Sequence, residues 1–373
     1  MDRAKDILNS RFVIDGVQQP FTPAGLLAQV MDYPQTEPVG RVVDESPDVP
    51  LDYGAFQNLS PEECLSSLDA SKLHFPLPFA EAYTKMVALE SLTELIWRKG
   101  HFRLGDLSLK VWWKLNPGPV GAKTAFYQSV SALADYLDAL GIRLDSFSLS
   151  LTRSASSLRC STVLARNPFD DDAPLELPFR TSHPKLSTLS ACTPALIPDK
   201  RSWVVFIPFE TAQFRLGGSQ LSQSTGDGGA APQIEDPDYF IDCYEVVREL
   251  VEDGVVISGT SIGTAGLLPA LKKLSSLGGC SLDADISDVM KYYGEQSAVR
   301  VLFAGVPGVV IQVRDIDFDY LDAELLLQDI AYFPLGHPSA DAPGEVKLNF
   351  SAKSGIQNIL DSLILNQGAE GED

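Results

Sequence analysis

The sequence is short of positive charge, of paired cysteines and of long apolar runs. Its 29 Lys and Arg residues face 50 Asp and Glu residues, which gives a formal net charge of −21, and no Lys/Arg cluster interrupts this excess. An electrostatic grip on nucleic acid or on an anionic membrane surface is therefore not expected. No apolar run approaches the roughly 20 residues that a membrane span requires, and the N-terminus lacks the order of a signal peptide. We expect a cytoplasmic protein that binds neither nucleic acid nor membranes.

Motifs for metal and nucleophile chemistry are also missing. The cysteines are odd in number, far apart and without a CxxC pair, which indicates buried or half-buried thiols: Cys64, Cys160, Cys192, Cys243 and Cys280. The histidines are scattered and form no HExxH pair: His74, His101, His183 and His337. Neither a GxSxG elbow nor a GxxxxGK[ST] phosphate loop is present. The sequence therefore lacks the common local signatures of zinc enzymes, α/β-hydrolases and P-loop proteins.

A chain of 373 residues with 45% hydrophobic residues predicts a folded protein of two or three domains. The first 70 or so residues are rich in breakers, so we expect a loosely structured lead segment with a strand or two packed on the first domain. A second breaker-rich stretch at 209–238 predicts a domain boundary. Strands and helices alternate on both sides of it, which predicts two α/β or α+β domains and, after them, a frayed tail.

Periodicity predicts the main elements. Helices are expected over 79–100, where Met86, Leu89, Leu92 and Ile96 share one face, and over 124–141, 239–254 and 265–279. Strands are expected over 107–115, over 146–165 as a strand, turn and strand, and over 203–209 and 255–263. The stretch 299–315 reads as a pair of buried strands around a turn with Gly305 and Pro307.

Two places offer candidate ligand groups. The segment 258–266 (SGTSIGTAG) runs from a strand into a helix, where backbone N–H groups can hold an anion, whereas the Gly-rich pieces at 216–219 and 226–229 are weaker candidates. Glu90 and Glu94 lie four apart on a predicted helix and could share a divalent cation, with a solvated acidic face as the alternative. The same ambiguity applies to the acidic cluster Asp283, Asp285 and Asp288.

The order of segments resembles a known family. The pieces are FAEAYTKMVALESLTELI, TAFYQSVSALADYLDALGI, CTPALIPDKRSWVVFIPF with RLGGSQLSQ, VVRELVEDGVVISGTSIGTAGLLPALKKL, GCSLDADI and LFAGVPGVVIQVRD. Together they resemble the second synthetase half of phosphoribosylformylglycinamidine synthase, the ATP- and glutamine-dependent enzyme of purine synthesis, whose halves are built like aminoimidazole ribonucleotide synthetase. The matching pieces cover most of residues 75–315 in family order.

The resemblance implies a two-domain aminoimidazole ribonucleotide synthetase-like fold. It divides the chain into a lead segment 1–74, an N-terminal domain 75–208, a C-terminal α/β domain 209–350 and a tail 351–373. In the family the N-terminal domains pair through a central β-barrel, and nucleotide and substrate lie in clefts between domains. A chain with one half and no glutaminase domain is therefore expected to dimerise, with itself or with a partner protein.

Four site segments depart from the family pattern. Thr260–Gly266 stands where the family has a His-Asp-x-Ser-Asp-Gly-Gly turn, so the imidazole and both carboxylates are missing. Asp145 and Ser146 keep the end of a Gly-Lys-Asp-Ser segment without its lysine, and Glu90 to Glu94 keeps only the glutamate of Glu-x-x-x-Asn. The segment 303–306 lacks the family's acid. Phosphoryl transfer depends on positioned metal ions and charged groups, so these losses predict a weakly held cation.

The resulting prediction is a catalytically silent, dimeric binding or regulatory scaffold with a residual nucleotide cleft. ATP or ADP with Mg²⁺ would be held by Ser261, Gly263, Thr264, Gly266, Asp145 and Ser146, with Glu90 and Glu94 as metal ligands and no catalytic residue. The alternatives are an active ATP-dependent synthase or ligase of altered substrate range, and a structural assembly protein. The partner is a second copy, or a protein such as a true synthase or a host factor. Since some DNA viruses carry inactive relatives, a viral origin and the host cytoplasm are further expectations.

Overall fold

The computed structural model describes residues 3–31, 33–34, 36–51, 59–164, 189–226 and 228–350. Over these residues helices and strands alternate, which confirms the predicted mixed α/β class. His183 and the predicted tail 351–373 lie outside the described residues. Within the described part, no helix combines the length and the apolar composition needed to cross a bilayer.

The N-terminal segment is more ordered than the sequence predicted. Its helices are α1 (Arg3–Leu8), α2 (Pro23–Leu27) and α3 (Pro61–Ser67), and its strands are β1 (Ser10–Ile14), β2 (Val17–Gln18) and β3 (Gly40–Asp44). The strands form a sheet in the order β2-β1-β3, with β1 and β3 parallel. Phe12 and Leu27 are fully buried, so this segment contributes to the core rather than leading loosely into it.

The next region contains one sheet and two long helices. Its elements are α4 (Ala80–Thr93), β4 (Leu107–Leu115), α5 (Ala122–Ala139), β5 (Arg143–Leu151) and β6 (Ser157–Leu164). The strand order is β5-β4-β6, where α5 connects the parallel pair β4 and β5, and β6 is antiparallel to β4. Val111 and Trp113 of β4 are buried, while Trp112 and Lys114 point to the opposite face, which no element of the described residues covers.

The predicted helix 79–100 ends earlier than expected. Met86, Leu89, Leu92 and Ile96 are buried as predicted, but α4 stops at Thr93. Beyond that point the carbonyl oxygen of Ile96 accepts a hydrogen bond from Arg248 Nη1 at 2.6 Å. Because this donor comes from another helix, the chain satisfies its carbonyl groups without continuing the helical ladder.

The last region is built on a four-stranded sheet. Its helices are α6 (Gln220–Thr225), α7 (Pro237–Glu252), α8 (Leu267–Gly278), α9 (Ser287–Tyr292), α10 (Ala298–Phe303) and α11 (Phe318–Leu327). Its strands are β7 (Ser202–Pro208), β8 (Val256–Ile262), β9 (Ser281–Asp285), β10 (Gly308–Arg314), β11 (Phe333–Gly336), β12 (Pro338–Ser339) and β13 (Val346–Asn349). The four-stranded sheet has the order β11-β7-β10-β8 and a smaller one the order β12-β9-β13. β7 precedes residue 209 in the chain but pairs with β10 and β11.

One predicted strand is a helix. The sequence predicts two strands over 299–315, and only the second half of this stretch forms one, as β10. Its first half is α10, where the Ser297 side chain accepts a hydrogen bond from the backbone N–H of Arg300 at 3.4 Å and so caps the helix. An apolar run this short does not distinguish a buried helix from a buried strand by periodicity alone.

The four-stranded sheet separates two apolar cores. Val205 and Ile207 of β7 belong to the core that contains α4, α5 and α7. Val204 and Phe206 of the same strand belong to the core that contains α8 and α10. Side chains alternate across a strand, so this sheet joins the two halves of the molecule and places the β8–α8 turn beside α4.

Candidate functional site

A cleft of about 670 Å³ lies between α4, β6 and the turn that joins β8 to α8. Its charged and reactive lining groups come from all three elements: Glu90, Glu94, Arg98, Arg159, Cys160 and Thr264. The volume falls within the range of about 300–1,000 Å³ that is typical of small-molecule sites. The cleft therefore brings together the two glutamates predicted as metal ligands and one residue of the predicted anion-binding turn.

The Glu90 carboxylate is seated on that turn. Its Oε2 accepts a hydrogen bond from the backbone N–H of Thr264 at 3.3 Å. A Cβ added to Gly263 would lie 2.0 Å from Glu90 Oε1, so any larger residue there would displace the Glu90 carboxylate from this position. An internal carboxylate thus occupies a backbone donor that the sequence offered to a phosphate.

Burial raises the pKa of the Glu90 carboxyl group. The Thr264 N–H and the positive charge of Lys273 act in the opposite direction, while the negative charge of Glu94 adds to the increase. Burial is the largest of these effects, and it raises the pKa because it disfavours the charged form of the carboxyl group. Glu90 is therefore more readily protonated than an exposed glutamate.

Ser261 has an internal partner. Its Oγ accepts a hydrogen bond from Trp97 Nε1 at 2.9 Å, and Ser261 is only 8% exposed. A Cβ on Gly259 would lie 2.4 Å from the Trp97 ring, so the indole lies directly on β8. The structure places the Ser261 hydroxyl in the packing between α4 and β8 and not in the lining of the cleft.

Gly266 allows the turn to approach α10. Its φ of 92° lies in the left-handed region, and a Cβ there would lie 2.5 Å from Phe303 Cα. A Cβ on the neighbouring Gly305 would lie 2.6 Å from Met86 Sδ. Three of the four segments that depart from the family pattern, on α4, at the β8–α8 turn and at 303–306, are therefore adjacent in space.

The fourth segment lies apart from the cleft lining. Asp145 and Ser146 are on β5, and Asp145 Oδ2 lies 3.5 Å from Lys110 Nζ of β4. Neither residue lines the cleft. The structure therefore brings together Glu90, Glu94, Gly263 and Thr264, but it does not place Asp145 and Ser146 in the same cavity.

The other Gly-rich and acidic candidates have structural contacts. Gly218, with φ of 83°, packs against α4, where its nearest neighbours are Phe79 and Met86. Asp285 accepts a hydrogen bond from the backbone N–H of Ser287 at 2.9 Å, beside the start of α9. Among the described residues, no three His, Cys, Asp or Glu side chains converge in a way that could hold a metal ion.

Sequence reasoning missed the two arginines of the cleft. Arg98 follows α4, and Arg159 lies on β6 opposite Trp112, so that it borders the cleft while its side chain is directed to the outer face of the sheet. Neither belongs to a motif, and only the alternation of β6 indicated that Arg159 is exposed. Cys160 also lines the cleft, but burial raises the pKa of its thiol, with the charge of Glu90 as a smaller cause, so it is not a thiolate nucleophile at neutral pH.

Comparison with known proteins agrees with the order of segments. No protein-family model matches the chain. Human phosphoribosylformylglycinamidine synthase is 24% identical over 284 residues, which cover 76% of this chain and 19% of the relative. The probable chloroplastic/mitochondrial enzyme of that name from Arabidopsis thaliana is 22% identical over 353 residues, or 93% of this chain and 23% of the relative. The chain thus spans less than a quarter of the length of these two relatives.

Two further comparisons are more distant. The major tegument protein of Epstein-Barr virus (strain GD1) is 22% identical over 240 residues, which cover 64% of this chain and 16% of that protein. The structure of PurL from Thermotoga maritima complexed with FGAR aligns with a TM-score of 0.49 at 11% identity, over 78% of this chain and 46% of that one. The chain is therefore similar in sequence to phosphoribosylformylglycinamidine synthase over most of its own length, as the order of its segments predicted.

Proposed function

We propose that this chain is a catalytically silent relative of phosphoribosylformylglycinamidine synthase that acts as a binding scaffold. The observation that best supports this proposal is the contact between Glu90 and the β8–α8 turn. The Glu90 carboxylate accepts a hydrogen bond from the backbone N–H of Thr264. A phosphate at that turn would lose this donor and would meet a negative charge at close range. The turn itself supplies neither a carboxylate nor an imidazole between Thr260 and Gly266.

The charges of the cleft also oppose a tightly held cation. Glu90 faces the turn with both oxygens, and Glu94 is exposed at the cleft. Arg98 lines the same cavity and adds a positive charge to it, whereas Arg159 pairs with Trp112 and so directs its side chain to the outer face of the sheet. Magnesium-dependent phosphoryl transfer needs several oxygen ligands and a phosphate clamp, and this lining supports neither strongly.

We further propose that the cleft is a residual site for ATP or ADP, bound without turnover and with at most weakly held Mg²⁺. Its volume suits a small molecule, and its lining includes Arg98, whose guanidinium is of the type that binds phosphate oxygens. The family that the segment order resembles is ATP-dependent, and the chain is similar in sequence to two synthases of that name. The proposed place of action is the cytoplasm, or the host cytoplasm if a virus encodes the chain.

The test has two readouts. Mass spectrometry of denatured pure protein asks whether a nucleotide co-purifies, and an ADP-release assay with Mg²⁺, with and without formylglycinamide ribonucleotide and ammonia, asks whether it turns over. We expect no release above background. Mg²⁺-dependent release that Glu90→Ala abolishes, and that Glu81→Ala on the exposed side of the same helix leaves intact, would overturn the proposal.

One observation favours the alternative of an active synthase of altered substrate range. Glu90 and Glu94 both line the cleft, as a shared cation would require. Under this alternative the Glu90→Ala variant loses activity that the wild-type chain shows. The same assay therefore separates the two candidates.

We also propose that the chain dimerises through the uncovered face of the β5-β4-β6 sheet. Trp112 lies on the central strand of that sheet and is 40% exposed, which is unusual for a large aromatic side chain at such a position. A second copy is the default partner, and a true synthase or a host factor is the alternative. Sedimentation of the wild-type chain and of Trp112→Ala tests this interface, and a variant that associates as strongly as the wild type would exclude it.

A further inference from the structure

An apolar stripe runs along the outer side of α11 and the 3₁₀ turn Asp315–Asp317 that leads into it. Ile316 is 83% exposed, Tyr320 44% and Leu327 76%. Together with exposed Ala323, these positions have the spacing of four, three and four that places residues on one helical face. Leu326, which is 64% exposed, widens the stripe at its C-terminal end.

The opposite side of α11 packs against the core of the protein. Leu321 and Leu325 are fully buried and pack in the core with α7. The helix therefore has two apolar faces, of which the described residues cover one. Scattered exposed apolar residues are common on proteins, but a continuous stripe along about 17 Å of helix marks an interaction surface.

The surroundings of the stripe are strongly acidic. Residues 315–329 contain six acidic residues and no Lys or Arg: Asp315, Asp317, Asp319, Asp322, Glu324 and Asp329. Glu249 and Asp253 of the adjacent α7 act on Tyr320 with the same sign of charge. Asp317 is neutralised by Arg314 at 2.8 Å, and the other acids keep the rim of the stripe negative.

We propose that this stripe, defined as Ile316, Tyr320, Ala323, Leu326 and Leu327, binds an amphipathic helix of a partner protein that presents apolar residues flanked by Lys or Arg. Apolar contact supplies affinity along the stripe, and the acidic rim selects a basic partner. A second copy of this chain brings acids against acids, and an anionic membrane surface is repelled by the same charges. The site lies on α11 and does not depend on the nucleotide cleft.

The test uses a synthetic helical peptide with leucines on one face and lysines on the flanks, titrated calorimetrically into the full chain. We expect binding that weakens as salt increases, because charge contributes to it. The double variant Ile316→Ser/Leu327→Ser is expected to bind at least about tenfold more weakly. The matched control is Val39→Ser/Val120→Ser, which removes two side chains that are 66% and 71% exposed elsewhere and should keep the wild-type affinity.

Charge is tested separately. Asp319→Asn/Glu324→Gln should lower the affinity by a few-fold, since rim charges act mainly on encounter and specificity. Circular dichroism of each variant checks that the fold persists. Five of the six substituted residues are exposed, and Glu324 is half-buried. Several results overturn the proposal: no binding of the leucine/lysine peptide, equal binding of a leucine/glutamate peptide, equal loss in both serine variants, or self-association or phosphatidylserine vesicle binding that Ile316→Ser/Leu327→Ser abolishes.

Discussion

The β8–α8 turn and the outer face of the β5-β4-β6 sheet treat their polar groups in opposite ways. At the turn, Ser261 is bonded to Trp97, the Thr264 N–H to Glu90, and Gly266 packs against Phe303. On the sheet, Lys110, Trp112 and Lys114 point away from the core with no element of the described chain over them.

The difference indicates which surfaces of the protein can bind other molecules. Groups that find partners within the fold gain little from a ligand, since binding must first break those contacts. Trp112 and Lys114 on the sheet face lose mainly water, whereas Lys110 also lies 3.5 Å from Asp145 Oδ2. We therefore expect substitutions at the turn to lower the free energy of unfolding. Substitutions on the sheet face should instead change the dissociation constant of the proposed dimer.

The largest effect is expected from a comparison of two tryptophans. Trp97 is 8% exposed and bonded to Ser261, so Trp97→Ala should lower the free energy of unfolding by about 3–5 kcal/mol. Trp112 is 40% exposed, and Trp112→Ala should cost less than about 1 kcal/mol while weakening dimerisation. Urea denaturation measures the first effect and sedimentation the second. Equal losses of stability would remove the distinction between the two regions.

A smaller effect is expected at Gly263. An added Cβ would lie 2.0 Å from Glu90 Oε1, so Gly263→Ala should lower stability by about 1–3 kcal/mol through overpacking. Glu90→Ala in the same chain should restore part of this loss, because the clashing group is then absent. Gly105→Ala is the control, since a Cβ there has no neighbour within 4 Å. An additive double variant would show that Glu90 does not press on the turn.

The pH dependence of stability sharpens the role of Glu90. Burial raises the pKa of this carboxyl group in the folded state, so between the unfolded value and the raised value the folded state binds more protons. The stability contribution of Glu90 is therefore lost as pH rises through this window. Glu90→Gln keeps the acceptor for Thr264 and removes the charge, so it should increase stability at neutral pH and flatten the decline.

The control for this prediction is Glu94→Gln, which changes the same type of side chain at an exposed position of the same cleft. Its effect on the free energy of unfolding should be smaller than that of Glu90→Gln. Thermal unfolding from pH 4 upward compares the three proteins. A Glu90→Gln variant less stable than wild type at neutral pH would mean that the ionised carboxylate stabilises the turn.

Local patterns of the sequence predicted much of the fold. β4 occupies the predicted residues 107–115, and α7 and β8 lie within two residues of their predicted bounds, since alternation and helical spacing are written along a single segment. α10 was missed because a short apolar run fits a helix and a strand equally well. The order of segments predicted the fold class, which no single motif could have predicted.

The arrangement of the cleft was harder to predict from the sequence. The sequence indicated Glu90, Glu94 and the turn separately, but the contact between Glu90 and Thr264 joins residues 174 positions apart. Whether a glutamate faces a cation or a backbone N–H depends on tertiary packing, here on the space that Gly263 leaves. Arg98 lines the cleft for the same reason, and no local pattern of the sequence indicated it.

The smallest effect is expected from salt on the proposed dimer. A symmetric pairing of the sheet faces places Lys110, Lys114 and Arg159 of each copy near the same residues of the other, so like charges oppose association. The screening length falls from about 30 Å at 0.01 M salt to about 8 Å at 0.15 M, and the dissociation constant should decrease a few-fold over this range.

Salt also screens the general repulsion between two chains of charge −21, so a variant must separate the local effect from the global one. Lys114→Ser and Arg11→Ser both remove one positive charge from an exposed strand position, and both increase the net negative charge equally. Only Lys114→Ser relieves repulsion between the sheet faces, so only this variant should strengthen the dimer at low salt, as measured by sedimentation. If Lys114→Ser weakens the dimer instead, Lys114 faces an acidic group of the second copy, and the symmetric contact between like charges proposed here is wrong.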